Sequence, residues 1–237
     1  MALTVSSGCQ LPEELRRYYL ETMGIQVWTE HPGSAAPLQA PAAALSPAVS
    51  VNSAVQGDPW SVLQVEVAAC TRCELHQSRS QTVFGTGNRQ ADVLIIGEAP
   101  GQEEDARGEP FVGRAGQLLD AMLLAIGLQR EQVYIANILK CRPPQNRDPR
   151  AEEIIHCEGY LHRQIELLQP KVIFALGKIA AQSLLACDST VSAMRAEQHE
   201  YRGIPLLVSY HPAYLLRKPT EKRKSWHDLL RLKAMLN

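Results

Sequence analysis

Four cysteines constrain this chain more than any other feature. Cys70 and Cys73 form a Cys-x2-Cys step, and Cys141 and Cys157 stand 16 residues apart. The two pairs bracket Gly97-Glu98-Ala99-Pro100-Gly101. Thiolates are soft ligands for zinc or for an iron–sulfur cluster, and a Cys-x2-Cys step lets two sulfurs reach one centre from a single turn of backbone. A centre closed by all four sulfurs would tie together stretches of chain that are far apart in sequence. The flanking residues Thr71, Arg72 and Glu74 are polar, which is not the pattern of cysteines buried as small hydrophobes. No histidine stands at ligand spacing, so an all-cysteine site is favoured, and spacing alone leaves zinc and iron–sulfur both open. Cys9 and Cys187 have no partner at ligand spacing and read as ordinary thiols.

A chain of 237 residues is long enough for one sizeable core with an appendage. It contains no apolar run of about 18 residues, the length that spans a bilayer. Its start, Met1-Ala2-Leu3-Thr4, lacks the charged and apolar regions of a secretion signal. Unpaired or metal-bound cysteines then point to a reducing cytoplasm and no membrane. The formal net charge of −1 excludes little, but its distribution is informative. Residues 211–237 carry Arg217, Lys218, Lys222, Arg223, Lys224, Arg231 and Lys233 against only Glu221 and Asp228. That local excess suits a polyanion, or simply a solvated terminal helix.

The chain divides by composition. Residues 1–31 hold a short amphipathic helical tail, with Leu15, Tyr18, Tyr19, Met23, Ile25 and Trp28 as apolar anchors. Residues 32–57 are rich in Ala, Pro, Ser and Val and nearly uncharged, a linker composition. The globular domain is expected over 58–237. Within it, Asp92–Gly97, Val133–Leu139, Lys171–Gly177 and Ile204–Ser209 read as strands. Helices are expected over Gln117–Ile126, from an Asp148-Pro149 start to about Leu168, from after Gly177 through Leu185, and over Ser225–Leu236. Strands alternating with helices imply a three-layer α/β/α domain around a central, mostly parallel sheet. Ligands of such folds lie beyond the carboxyl ends of the strands. Three segments fall there: 97–111, 137–147 and 210–217.

Those segments carry a recognisable combination. Gly-Glu-Ala-Pro-Gly at 97–101, Glu103-Glu104-Asp105, the run Gly108-Glu109-Pro110-Phe111-Val112-Gly113-Arg114-Ala115-Gly116, Asn137 four before Cys141, Cys-Arg-Pro-Pro-Gln-Asn-Arg at 141–147, and His211-Pro212-Ala213 together resemble the family 4 uracil-DNA glycosylases. These are the iron–sulfur members of the uracil-DNA glycosylase superfamily, and the resemblance covers roughly residues 60–237. It implies one [4Fe-4S] cluster on Cys70, Cys73, Cys141 and Cys157. It also implies a repair enzyme acting on uracil-containing DNA, single- or double-stranded, as a monomer.

Excising a base breaks a C1′–N bond, with negative charge growing on the leaving uracil and positive charge on the sugar. Under the resemblance, Gly97, Glu98 and Ala99 line the pocket. Phe111 stacks on the flipped base. Asn137 donates to uracil O4 and accepts from N3–H, a pattern reversed in cytosine. His211, held extended by Pro212, donates to O2 as charge grows. Relatives in a sister family carry Gly-Gln-Asp-Pro-Tyr where this chain has Ala99, so the water-positioning carboxylate falls to Glu98 or, second, Glu103. Leu215, four residues after His211, stands where an apolar wedge would fill the gap left by the flipped base, and Leu216 could share that role. Arg217, Lys218 and Lys222 would hold flanking phosphates.

Two other readings compete. One is a non-catalytic, metal-stapled adaptor that binds DNA or protein on the same scaffold; the joint presence of Phe111, Asn137 and His211 argues against it. The other concerns only the tail. Leu20-x-x-Met23-Gly24-Ile25-x-x-Trp28 resembles the N-terminal peptide by which the ψ subunit of the bacterial clamp loader binds χ, so residues 11–30 are expected to dock a replication protein. A dock onto the chain's own domain and a disordered leader are the alternatives.

Overall fold

The computed structural model describes residues 58–236. The tail at 1–31 and the linker at 32–57 lie outside the described residues. Helix α1 (Pro59–Ala68) begins with proline at its first position, where the missing N–H costs nothing. Strand β1 (Thr86–Gly87) and strand β2 (Val93–Gly97) follow, then the short helix α2 (Gln102–Arg107) and helix α3 (Arg114–Ala125). Strand β3 (Tyr134–Asn137) leads to the long helix α4 (Ala151–Leu168), and strand β4 (Val172–Leu176) to α5 (Lys178–Leu185) and α6 (Val191–Ala196). Strands β5 (His199–Tyr201) and β6 (Ile204–Ser209) precede α7 (Pro212–Arg217) and α8 (Lys222–Ala234).

The sheet order is β1-β3-β2-β4-β6-β5. The four inner strands run parallel, and the two edge strands run antiparallel to their neighbours. Every residue of β2, β3 and β4 is buried, which is why these strands read as unbroken apolar runs rather than as alternation. Alternation reappears in where the side chains go. Leu94 and Ile96 face a core shared with α1, α4 and α5 (Leu63, Leu161, Ala181). Val93 and Ile95 face a second core shared with α3 and α8 (Leu119, Leu123, Leu229, Leu232). The result is the expected three layers.

Several elements differ from the sequence reading: α3 and α8 each begin three residues early, at Arg114 and Lys222. The fourth helix begins not at Asp148-Pro149 but at Ala151, with Arg150 as its cap residue. The Glu153 carboxylate accepts the Arg150 N–H at 2.8 Å and also binds the Arg147 guanidinium, so the first turn is closed from within and Asp148 is left outside it. The edge strands β1 and β5 were not foreseen; they are two and three residues long and partly exposed, too short to carry a period.

The topology sets the site. From β2 the chain crosses to β3 on one side, then passes back to β4 on the other. Position 97 pairs with 137 and position 176 with 209, so the inner strands end close to level. All three motif-bearing segments leave from those ends.

Candidate active site and cysteine cage

The ends of β2 and β3 are fastened together beyond the last ladder pair. Ile138 N–H donates to Gly97 O and Leu139 N–H to Glu98 O, both at 3.0 Å. Asn137 is 1 % exposed, and both its side-chain amide atoms are buried without a hydrogen-bond partner. Buried polar groups are normally satisfied, so a donor and an acceptor left bare side by side mark a place for a ligand offering the complementary pair. Gly97 lets the Asn137 amide and the Phe111 ring close on the strand end. A Cβ there would meet Asn137 Oδ1 at 2.4 Å and the Phe111 ring at 2.7 Å.

Phe111 is buried with φ of 53°, in the left-handed region that a bulky residue seldom adopts. Its backbone is held there from several directions. Arg130 donates to Phe111 O at 3.2 Å and to Pro110 O, and pairs with Asp120. Glu104 accepts from the N–H groups of Gly101, Val112 and Gly113 at 3.0–3.1 Å, knotting both sides of the loop onto one carboxylate. Gly116 lets the loop lie close, since a Cβ there would sit 1.8 Å from Phe111 O. Such over-determined strain is characteristic of a working site.

The Phe111 ring stacks against His211, with centroids 5.4 Å apart and planes 29° apart. His211 is half-buried at the cap of α7, where its Nδ1 accepts the Ala213 N–H at 3.1 Å. A neutral imidazole that accepts at Nδ1 carries its proton on Nε2, so the ring presents a donor. Burial and, secondarily, the Arg217 charge push its pKa down to about 4, while Glu104 opposes them. The ring is therefore neutral at ordinary pH. From behind it rests on Gly177, where φ is 94° and a Cβ would come within 3.0 Å of His211 Cβ.

Glu98 is half-buried, and burial, with the Asp148 charge adding to it, raises its carboxyl to about 7. Glu103 is exposed on α2, in a loose 4.0 Å pair with Arg107. Ala99 is half-buried and packs against the first core. The structure thus packs Gly97 against Asn137 and Phe111, stacks Phe111 on His211, keeps Glu98 half-buried at the end of β2, and leaves Glu103 in solvent. Glu104, Arg130 and Gly177 were not foreseen. Glu104 was legible only as part of an acidic triplet.

Leu215 requires a correction. It is 1 % exposed and belongs to the second core, not to the surface. The first turn of α7 places residues four apart on one face, and the face shared with His211 points inward. Leu216 next to it is 36 % exposed. Arg217, Lys218 and Lys222 are exposed beyond it.

The cysteines gather around the N-terminal half of α4, which carries Cys157. Cys70, Cys73, Cys141 and Cys157 line one small cavity together with Arg79, Lys140 and Tyr160. Among the described residues no three His, Cys, Asp or Glu side chains close on a single ion. The sulfurs are nonetheless served by donors. Arg79 Nη1 donates to Cys141 Sγ at 3.0 Å, and the Lys140 backbone N–H to Cys157 Sγ at 3.2 Å. Burial raises the thiols of Cys73 and Cys141, and that of Cys157 to about 12. Four converging thiols with cationic and N–H donors already aimed at two of them suit a multi-atom, thiolate-held group. Cys187 is apart from them, half-buried beside Met194.

The profile of the uracil DNA glycosylase superfamily matches residues 84–230, more than half of the chain. The type-4 uracil-DNA glycosylase of Archaeoglobus fulgidus is 42 % identical over 175 residues, 70 % of this chain and 88 % of that protein. The chain belongs to the uracil-DNA glycosylase superfamily. Two further type-4 uracil-DNA glycosylases align as broadly. That of Sulfurisphaera tokodaii is 37 % identical over 75 % of this chain and 85 % of its own length. That of Thermotoga maritima is 42 % identical over 66 % and 82 %. The superfamily profile begins at Phe84, after the first cysteine pair, and spans the whole strand-end pocket.

Proposed function

We propose that this superfamily member is a type-4 uracil-DNA glycosylase that flips uracil out of DNA, hydrolyses its N-glycosidic bond, and leaves free uracil and an abasic site. The observation that carries the reading is the bare amide of Asn137 beneath the stacked rings of Phe111 and His211. Uracil offers an O4 acceptor beside an N3–H donor, and the two orphaned amide atoms offer their complements. Cytosine offers the reverse pair. The flipped base enters between strand ends and loop, where Phe111 supplies the aromatic face.

Neutral His211 donates from Nε2 to uracil O2. That bond strengthens only as the leaving base becomes an anion, so it lowers the barrier rather than tightening ground-state binding. A cation at this place would be costly to keep buried; a neutral donor is not. Glu98 ionises above about pH 7, and its carboxylate then steadies the sugar cation or orients the attacking water. Arg217, Lys218 and Lys222 take flanking phosphates, and Leu216 replaces Leu215 as the wedge into the base stack.

Cys70, Cys73, Cys141 and Cys157 hold one [4Fe-4S] cluster. Bound there, it supplies a covalent staple between distant segments rather than a step in bond cleavage. The protein works as a monomer in a reducing cytoplasm. Residues 11–30 dock a replication protein, a role that lies outside the described residues. Deleting residues 1–57 should then leave excision on naked oligonucleotides intact and abolish capture of χ; a deletion that loses excision, or an intact tail that binds no χ, rejects the tether.

The deciding assay is release of labelled uracil from a uracil-containing oligonucleotide by the intact protein, with His211→Ala and Asn137→Ala alongside. Release that depends on both residues is expected. An active protein indifferent to both variants would place the chemistry elsewhere. Tight DNA binding with no release would favour the adaptor reading.

A further inference from the structure

Lys140 is among the largest fully buried side chains, at 1 % exposure, and the chemistry above makes no use of it. A buried ammonium is costly unless it is well bonded and faces opposite charge. Its two hydrogen-bonded partners are both neutral. Nζ donates to the Asn137 main-chain carbonyl at 2.9 Å and to Gln164 Oε1 at 2.6 Å. The backbone N–H of Lys140 is the donor to Cys157 Sγ, and its carbonyl accepts from Val83 N–H at 2.8 Å. Gln164 is itself fixed, donating to Phe84 O at 2.9 Å.

One residue therefore touches both places. Its head grips the residue whose amide faces the base, and its backbone grips the cage. We propose that Lys140 is a positioning residue that couples the cysteine cage to the base-reading amide: the ammonium holds the Asn137 main chain, and the backbone N–H of the same residue holds the Cys157 sulfur. This rests on the reading of Asn137 as the uracil-selecting group. A small displacement of that amide breaks two hydrogen bonds to the base at once, whereas the DNA backbone is held by residues on α7 and beyond.

The test uses the full chain, purified with its iron, and measures equilibrium binding of free uracil, affinity for uracil-free duplex, and loss of iron to a chelator. Lys140→Met should weaken free-uracil binding by at least about tenfold, leave duplex affinity unchanged, and release iron faster. Gln164→Met, which frees the ammonium from its second anchor, should weaken uracil binding less; it decides the matter if Lys140→Met does not fold. Uracil binding lost in Asn137→Ala but unchanged in both Lys140→Met and Gln164→Met overturns the coupling. So does a parallel fall in uracil binding, duplex affinity and melting temperature, which would mean packing alone. Unchanged iron release in Lys140→Met overturns the link to the cage. Uracil binding unchanged in Asn137→Ala sinks the reading of Asn137 itself, and the coupling with it.

Discussion

The pocket and the cage solve opposite problems with the same raw material, a polar group in a buried place. In the cage two donors are turned onto sulfur. Arg79 and the Lys140 N–H already point at sulfur, and Tyr160 and Arg72 close the wall in a cation–π contact at 4.9 Å. In the pocket the polar atoms have been left bare. Glu104 and Arg130 fix the frame around them, but nothing satisfies the Asn137 amide. On the proposed reading the cage is finished by a cluster it holds permanently. The pocket is finished only by a base that comes and goes. A staple tolerates no loss of a strut, whereas a pocket loses rate or selectivity and keeps its fold.

That contrast can be broken most directly at the cage. Cys141→Ala or Cys157→Ala should lose iron and soluble protein together, read by iron content and soluble yield. A soluble, fully active variant without iron would erase the distinction. Next in size, His211→Ala should lower the single-turnover excision rate by about 10²–10³-fold, the usual consequence of removing a donor to a developing anion. Affinity for DNA should change far less. Equal losses in both would make His211 a binding group and not a rate-determining one.

A pH profile sharpens the pocket side. Ionised Glu98 should give a single-turnover rate that rises with pH through about 7, and Glu98→Gln should flatten that limb. Stability should respond with the opposite sign. The carboxyl stays protonated in the folded protein well above the ordinary value of 4.5, so the folded state binds the extra proton and stability falls as pH rises over that window. A denaturation series over pH 4.5–7 with the parent and Glu98→Gln measures it. Asn137→Asp should keep DNA affinity and lose preference for uracil, because the amide donor is gone; retained preference would shift selection to another group.

The smallest effects belong to the surface row. Affinity for duplex should fall with salt at a slope of about −0.9 per neutralised phosphate. Reversing Arg217 and Lys222 together should flatten that slope, and an unchanged slope would move the DNA face elsewhere. Leu216→Ala should slow excision from duplex more than from single strands, since only a duplex leaves a gap to fill.

The inner sheet was legible because β2, β4 and β6 are apolar runs that end in Gly or in a motif. The edges were not, for β1 and β5 are too short to show a period. Among site residues, Phe111, Asn137 and His211 stood in a motif whose flanks named them. Leu215 was misplaced because an offset of four from His211 on a helix selects the same face, and that face is inside. Lys140 left no local trace. A lysine beside a cysteine reads as surface, and the glutamine that anchors it is 24 residues further along. Long-range polar partners are the part of a site that neither periodicity nor spacing reveals.

The bare amide of Asn137 also has a thermodynamic side. A buried polar group without a partner costs about 1–3 kcal/mol, and here a donor and an acceptor are both in that state. The protein itself offers that amide no partner, so whatever fills the pocket must supply one. On the proposed reading an apolar residue of similar size at position 137 would leave a pocket that cannot tell one pyrimidine from another. Each uracil that enters brings both missing partners and holds them for as long as it stays.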